Sequence, residues 1–217
     1  MSLAPPPLTE ETLALAVRVL SARDPDLRGV VERFGPPPLW ARSPGFPTLV
    51  HIVLEQQVSL ASARAAFDRL QAAVDVLTPR RFLELNDERL LGIGFSRQKS
   101  RYVRNLAGAV ESGALDLDGL EDLADEDVHR ALVALTGIGS WTASIYLLMA
   151  LRRPDVWPTG DLALLTSVAA VKHLEGRPDS AHMEELAEPW RPWRSVAARL
   201  FWHDYLSRRP AGLRPDD

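Results

Sequence analysis

Two glycines one residue apart, Gly137-Ile138-Gly139, join two helical runs, and this joint constrains the chain more than any other stretch. A helical run from Asp125 to Leu135 enters it, and a second, apolar run leaves it from Ser140 to about Arg152. A short turn containing Pro154, Pro158 and Gly160 then delivers one carboxylate, Asp161. Both glycines of the joint are free to take positive φ and carry no side chain. Backbone N–H groups at the start of the second helix can therefore face outward, where they and the helix dipole favour an anion, most naturally a phosphate. Ile138 is expected to plug the two helices together. A glycine pair also suits a plain αα-turn, so G-I-G by itself leaves both readings open.

Composition narrows the class. A chain of 217 residues can bury a substantial core in one or two small domains. No apolar run is long enough to cross a bilayer, and the N-terminus has no charged-then-apolar leader, so a cytoplasmic protein is expected. With no cysteine there are no disulfides, zinc–thiolate sites or cysteine-held iron–sulfur clusters. The five histidines show no ligand spacing, and no phosphate-loop or G-x-S-x-G string occurs. Net charge is −4, which argues against a large nonspecific grip on nucleic acid, but the charge is segregated. Residues 116–127 hold seven acids and no base, while Arg97, Lys99, Arg101 and Arg104 cluster with no acid among them. Such a division suits a protein that touches DNA on one face, and equally an ordinary solvated surface.

No stretch alternates at period two, and the reading is all-α, with ten to thirteen short helices. Residues 1–8 form a Pro-rich lead-in, expected to be unstructured. Thr9, Ser59 and Ser180 are read as N-caps, and Thr78-Pro79 as a helix start. Helices are expected from Thr48 to Gln57, from Ser96 to Gly113 and from Asp161 to Leu174. The acidic stretch reads as a solvated short helix. The string L-L-G-I-G-F-S-R-Q-K at 90–99 echoes L-T-G-I-G-S-W-T-A-S at 135–144, which predicts two similar helix turns.

The string L-T-G-I-G-S-W-T-A, followed some twenty residues on by P-T-G-D, resembles the helix–hairpin–helix (HhH-GPD) DNA glycosylases. The likeness is to the AlkA-type 3-methyladenine DNA glycosylase II branch and extends over most of residues 36 to 206. L-E-Q-Q-V-S at 54–59 is similar to the family's G-Q-L/Q-V-S segment, G-F-S-R-Q-K to its G-x-S-x-x-K segment, and P-W-R-S at 192–195 is also family-like. The resemblance implies a two-lobed helical fold with a cleft between the lobes: one lobe of residues 45–154, the other combining 1–44 with 155–217. It also implies a compact form without the N-terminal α/β domain of the prototype.

What the resemblance implies for the site follows residue by residue. Asp161 would be the catalytic carboxylate, stabilising positive charge on the sugar of an extruded nucleotide. By sequence alone the same residue reads as a helix N-cap, and the two roles are compatible. Gly137, Ile138, Gly139 and Ser140 would hold a DNA strand, Gln57 would wedge into the duplex with Gln56 beside it, and Arg97 and Lys99 would lie on the backbone. Glu55 stands where glycine is usual, a departure that would alter approach to the phosphates. Trp141 and Trp202 would line the base pocket, with Tyr146 as a further aromatic one step from Ile145, where relatives often carry Tyr; a wider pocket is the expectation. Trp141 also stands where glycosylase/lyases carry lysine, which implies a water-using enzyme without lyase activity. No cofactor is required for the chemistry. The carbonyls of Val133, Leu135 and Ile138 would hold a monovalent cation, sodium or potassium. The expected partner is damaged double-stranded DNA, met at the nucleoid by a monomer, with no membrane involved. The expected substrates are alkylated purines such as 3-methyladenine and 7-methylguanine. Two alternatives stay open: a non-catalytic DNA-binding module, and a glycosylase for oxidised or deaminated bases.

Overall fold

The structure is a computed structural model that describes residues 5–208. Helix is the only regular secondary structure among them. The first two helices are α1 (Glu10–Arg23) and α2 (Pro25–Phe34). Seven follow: α3 (Phe46–Glu55), α4 (Leu60–Ala73), α5 (Pro79–Leu83), α6 (Asp87–Ile93), α7 (Arg97–Glu111), α8 (Asp125–Val133) and α9 (Ser140–Ile145). α9 runs directly into a π-helical turn, Tyr146–Ala150, and the acidic stretch forms a 3-10 turn, Gly119–Asp122. The last three are α10 (Leu162–Val171), α11 (Ser180–Ala187) and α12 (Arg194–Ser207). Two compact units divide the described residues, one of 42–151 and one of 5–41 with 152–208. The first begins at 42 rather than the expected 45 and ends at 151 rather than 154.

Local side-chain chemistry sets most helix starts. Thr9, Ser59, Thr78, Asn86, Ser96 and Asp161 each accept a backbone N–H of the first turn, filling donors that the helix cannot pair. Asp179, not Ser180, caps α11. α3 begins two residues before Thr48, because Gly45 takes φ +115° and Pro47 suits a first turn.

In the unit of residues 42–151, α3 packs against α4, α7 and α9, and α5 lies against α7. Its core includes Leu49, Ile52, Val53, Leu70, Phe82 and Leu106, and the acidic stretch buries Leu115, Leu117 and Leu120 beneath exposed carboxylates. The two G-I-G turns both join helices, yet they differ by two residues in register. At the first, Gly92 lies inside α6 and the second glycine, Gly94, is left-handed; at the second it is the first glycine, Gly137.

In the other unit α12 packs on α10, α2 and α1. Trp157, Trp190 and Phe201 cluster there, and the Trp190 indole N–H donates to Asp24, which also binds Lys172. Arg199, wholly buried in α12, donates to the carbonyls of Leu39 and Ser195, and burial lowers its guanidinium to about 10. The Pro-rich lead-in departs from expectation. Leu8 is buried and its N–H donates to the Arg152 carbonyl, while Arg153 donates to the carbonyl of Pro5. The expectation for residues 1–4 lies outside the described residues.

Candidate active site

Asp161 sits at the N-cap of α10, at the end of a turn shaped by Pro158 and by Gly160, whose φ is +89°. Its Oδ1 accepts the Leu164 N–H at 2.8 Å and the Trp202 indole N–H at 3.1 Å. Asp161 is half-buried, and Trp202 is 7% exposed. The turn is braced from α11 by a hydrogen bond between the Thr159 hydroxyl and Glu184. Leu162, the residue after Asp161, is 66% exposed, an apolar side chain in water beside the carboxylate. Sequence reasoning missed it, because a leucine in an amphipathic run reads as core.

The remaining sequence-predicted residues lie in the other unit. At the hairpin, Gly137 takes φ +100°, while Gly139 has φ −88° and ψ 174°, so only the first uses the positive φ open to both. The two glycines are required for different reasons. A Cβ on Gly137 would lie 2.1–2.5 Å from Tyr102, while one on Gly139 would meet nothing within 4 Å. Ile138 is buried and its N–H donates to the Leu135 carbonyl at 3.0 Å. Ser140 is exposed and its hydroxyl pairs with His129 Nε2 at 2.9 Å, a partner eleven residues back that no spacing rule would pick. Val133 closes α8, where the helical ladder leaves carbonyls unpaired. The Leu135 carbonyl keeps a second lone pair beyond its bond to Ile138. Carbonyl oxygens of this kind suit a hard alkali cation, and no group of three or more His, Cys, Asp or Glu side chains that could hold a metal occurs among the described residues.

The tip after α3 is tied to the hairpin. Gln56 Nε2 donates to the Gly137 carbonyl and to the Thr142 hydroxyl, both at 3.0 Å. Gln57 is exposed in a left-handed conformation, φ +57°, unusual for a residue with a side chain. Val58 and Leu60, 47% and 45% exposed, extend this tip with apolar surface that the sequence reading did not single out. Glu55, which stands where glycine is usual, is turned inward. It is buried in a two-pronged bond to Arg42 at 2.7 and 3.1 Å, so its charge is matched inside the unit. His51, stacked on Phe67 at 4.4 Å, lies 3.7 Å from the same carboxylate; burial lowers its imidazole below the usual value. Gln56→Ala should lower the unfolding free energy by about 1–2 kcal/mol, since the Gly137 carbonyl and the Thr142 hydroxyl lose their shared donor. An unchanged denaturant midpoint would show that this side chain does not fasten the tip.

Lys99 also takes a different place from the one expected. Its ammonium donates to the Leu54 carbonyl at 2.6 Å, at the C-terminal end of α3, and burial lowers its amine below the ordinary lysine value. Arg97 is exposed on the first turn of α7. A cation there opposes the helix dipole, a disadvantage that a bound phosphate would reverse. Trp141 is half-buried on the first turn of α9. Tyr146 is not brought to a surface. It is 0% exposed, and its hydroxyl accepts the Gly45 N–H at 2.9 Å, with burial raising its pKa. Ile145 is buried as well.

The chain is 28% identical over 169 residues to the DNA-3-methyladenine glycosylase of Bacillus subtilis, covering 72% of this chain and 56% of that one. A second B. subtilis relative is matched over 64% of its length, so the chain spans about three-fifths of these two proteins. It is 26% identical to DNA-3-methyladenine glycosylase 2 of Escherichia coli, covering 97% of this chain and 76% of the relative. Among solved structures it is similar to Schizosaccharomyces pombe 3-methyladenine DNA glycosylase Mag1 in complex with abasic DNA. The TM-score is 0.77 at 25% identity, covering 86% of this chain and 94% of that one. A family profile described as HhH-GPD superfamily base excision DNA repair protein matches residues 50–192, a span that holds the tip, both glycine turns and Asp161. With the all-helical architecture and the capped carboxylate beyond the hairpin, that match shows that the chain belongs to the HhH-GPD superfamily of base excision DNA repair proteins.

Proposed function

We propose that this chain is a DNA glycosylase that hydrolyses the N-glycosidic bond of alkylated purines. The observation that carries the reading is the Asp161 carboxylate, held at a helix start by two N–H donors on one oxygen, beyond a glycine hairpin. In the reaction, the bond between C1′ and the base nitrogen breaks and its electron pair leaves with the base. Positive charge builds on C1′ and O4′, and a fixed carboxylate stabilises it. Water adds to C1′ and gives its proton to Asp161, and from there to solvent. An alkylated purine is already cationic and becomes neutral as it leaves, so a modest electrostatic contribution suffices. The Trp141 indole is the stacking face for such a cation, worth roughly 1–2 kcal/mol when desolvated.

Extrusion of the base costs a few kcal/mol. The hairpin N–H groups at Gly139 and Ser140, with Arg97, would offset it through phosphate contacts, and Gln57 with Val58 would fill the gap in the stack. A monovalent cation on the carbonyls of Val133, Leu135 and Ile138 would add positive charge below the phosphate.

Hydrolysis rather than lyase chemistry is supported by the lysines. Trp141 occupies the lysine position, and both lysines are engaged: Lys99 with the Leu54 carbonyl, Lys172 with Asp24 and Asp26. Duplex DNA carrying 7-methylguanine or 3-methyladenine should lose the free base on incubation with the protein, with no adduct trapped by borohydride. An adduct would overturn the hydrolytic assignment, and binding without base release would favour a non-catalytic module.

A further inference from the structure

Trp202 reaches Asp161 across 41 residues of sequence, and its reach depends on how two helices of one unit are locked. α12 packs along α10. The Ser167 hydroxyl donates to Asp204 Oδ2 at 2.8 Å, with both side chains buried. That bond joins a residue six past Asp161 to one two past Trp202, and so fixes the register of the two helices. At the other end, Ser195 accepts the Val156 N–H and donates to the Val156 carbonyl, pinning the start of α12 to the chain just before the Pro158 turn. Between these ties the indole has little freedom. It is 7% exposed, and its one donor points at Oδ1.

A carboxylate at an N-cap normally draws its orientation from backbone N–H alone. Here a side chain supplies a second donor to the same oxygen. The two bonds come from different helices, α10 and α12, and together hold Oδ1 in place. From this we infer that Trp202 is a positioning residue: its indole N–H holds the Asp161 carboxylate in the orientation that base release requires. Stacking on the base is a separate role, which any aromatic ring at this position could fill. The inference rests on the glycosylase reading above.

The test exploits the difference between an aromatic face and an N–H. Trp202→Phe keeps a ring and removes the donor. In single-turnover release of 7-methylguanine from duplex DNA, W202F should be about 10- to 100-fold slower than wild type, the range expected for losing one hydrogen bond to a charged group. Its dissociation constant for the same DNA should change by less than about 3-fold, because the lost bond orients a reacting group and does not grip the DNA. Release by a folded W202F within about 3-fold of wild type would overturn the inference. A second measurement needs neither activity nor that variant. The assigned Trp202 indole N–H resonance of the wild-type protein should show slowed exchange with solvent, and Asp161→Ala should shift it and speed its exchange. An indole signal that D161A leaves unmoved would overturn the inference in its structural premise. Failure of wild type to release any base would overturn the glycosylase reading itself, and the inference with it.

Discussion

Asp161→Asn should fold as wild type does and release alkylated base at least about 100-fold more slowly, the cost typical of removing one preorganised electrostatic group from a reaction centre. The substitution is informative because two bonds that anchor the side chain fall on one oxygen. Oδ1 accepts both the Leu164 N–H and the Trp202 indole N–H. An asparagine can present its amide oxygen at that place and keep both, and asparagine is as good an N-cap as aspartate. What it removes is the negative charge. Both bonds to Oδ1 should therefore survive, while the rate falls. Asp161→Ala removes cap and charge together and should lose about 1 kcal/mol of stability besides. If D161N released base within a few-fold of wild type, Asp161 would be a cap and nothing more, and the group that stabilises charge in base release would lie elsewhere in the chain.

The parts of this site that the sequence disclosed are those set by neighbours in the chain. Thr9, Ser59, Thr78 and Ser96 cap helices because their hydroxyls bond N–H groups three residues on, and that chemistry travels with the residue type. The all-helical class followed from period, and the turn before Asp161 from its prolines and glycine. The parts that stayed hidden depend on partners far along the chain. Glu55 reads from the sequence as a departure that alters approach to the phosphates, because nothing local shows Arg42, thirteen residues earlier, meeting its carboxylate. The bond from Lys99 to a backbone carbonyl 45 residues away is hidden in the same way. The expected likeness of the two glycine turns failed on register. Glycine accepts either sign of φ, and packing chose which glycine bends: a Cβ on Gly94 would lie 2.8 Å from the end of the Arg69 side chain, and one on Gly137 against the ring of Tyr102. The hydrogen bond between Trp202 and Asp161 is of the same kind, since it arises from α10 lying against α12.

Gly137→Ala and Gly139→Ala should fail in opposite ways. At Gly137 the added methyl group meets Tyr102 Cγ, Cδ1 and Cβ at 2.1–2.5 Å, atoms at the root of that side chain with little room to retreat, and the backbone must hold φ +100°. Left-handed strain and overpacking together should cost about 3 kcal/mol or more. For a chain of this size that lowers the unfolding temperature by roughly 6–12 °C. At Gly139 the backbone is extended, φ −88°, and the methyl group enters open space, so the only structural loss is a poorer cap, below about 1 kcal/mol. Yet that open space is where a phosphate would approach the N–H groups at the start of α9. A methyl group there should hold the phosphate away, weaken DNA binding by about 10-fold or more and flatten its salt dependence, since fewer phosphate contacts release fewer counterions. Circular-dichroism melts and fluorescence-anisotropy titrations at two salt concentrations separate the two effects. A G139A variant that binds as wild type would place the DNA strand elsewhere, and a G137A variant of full stability would contradict the packing of Tyr102 against the hairpin.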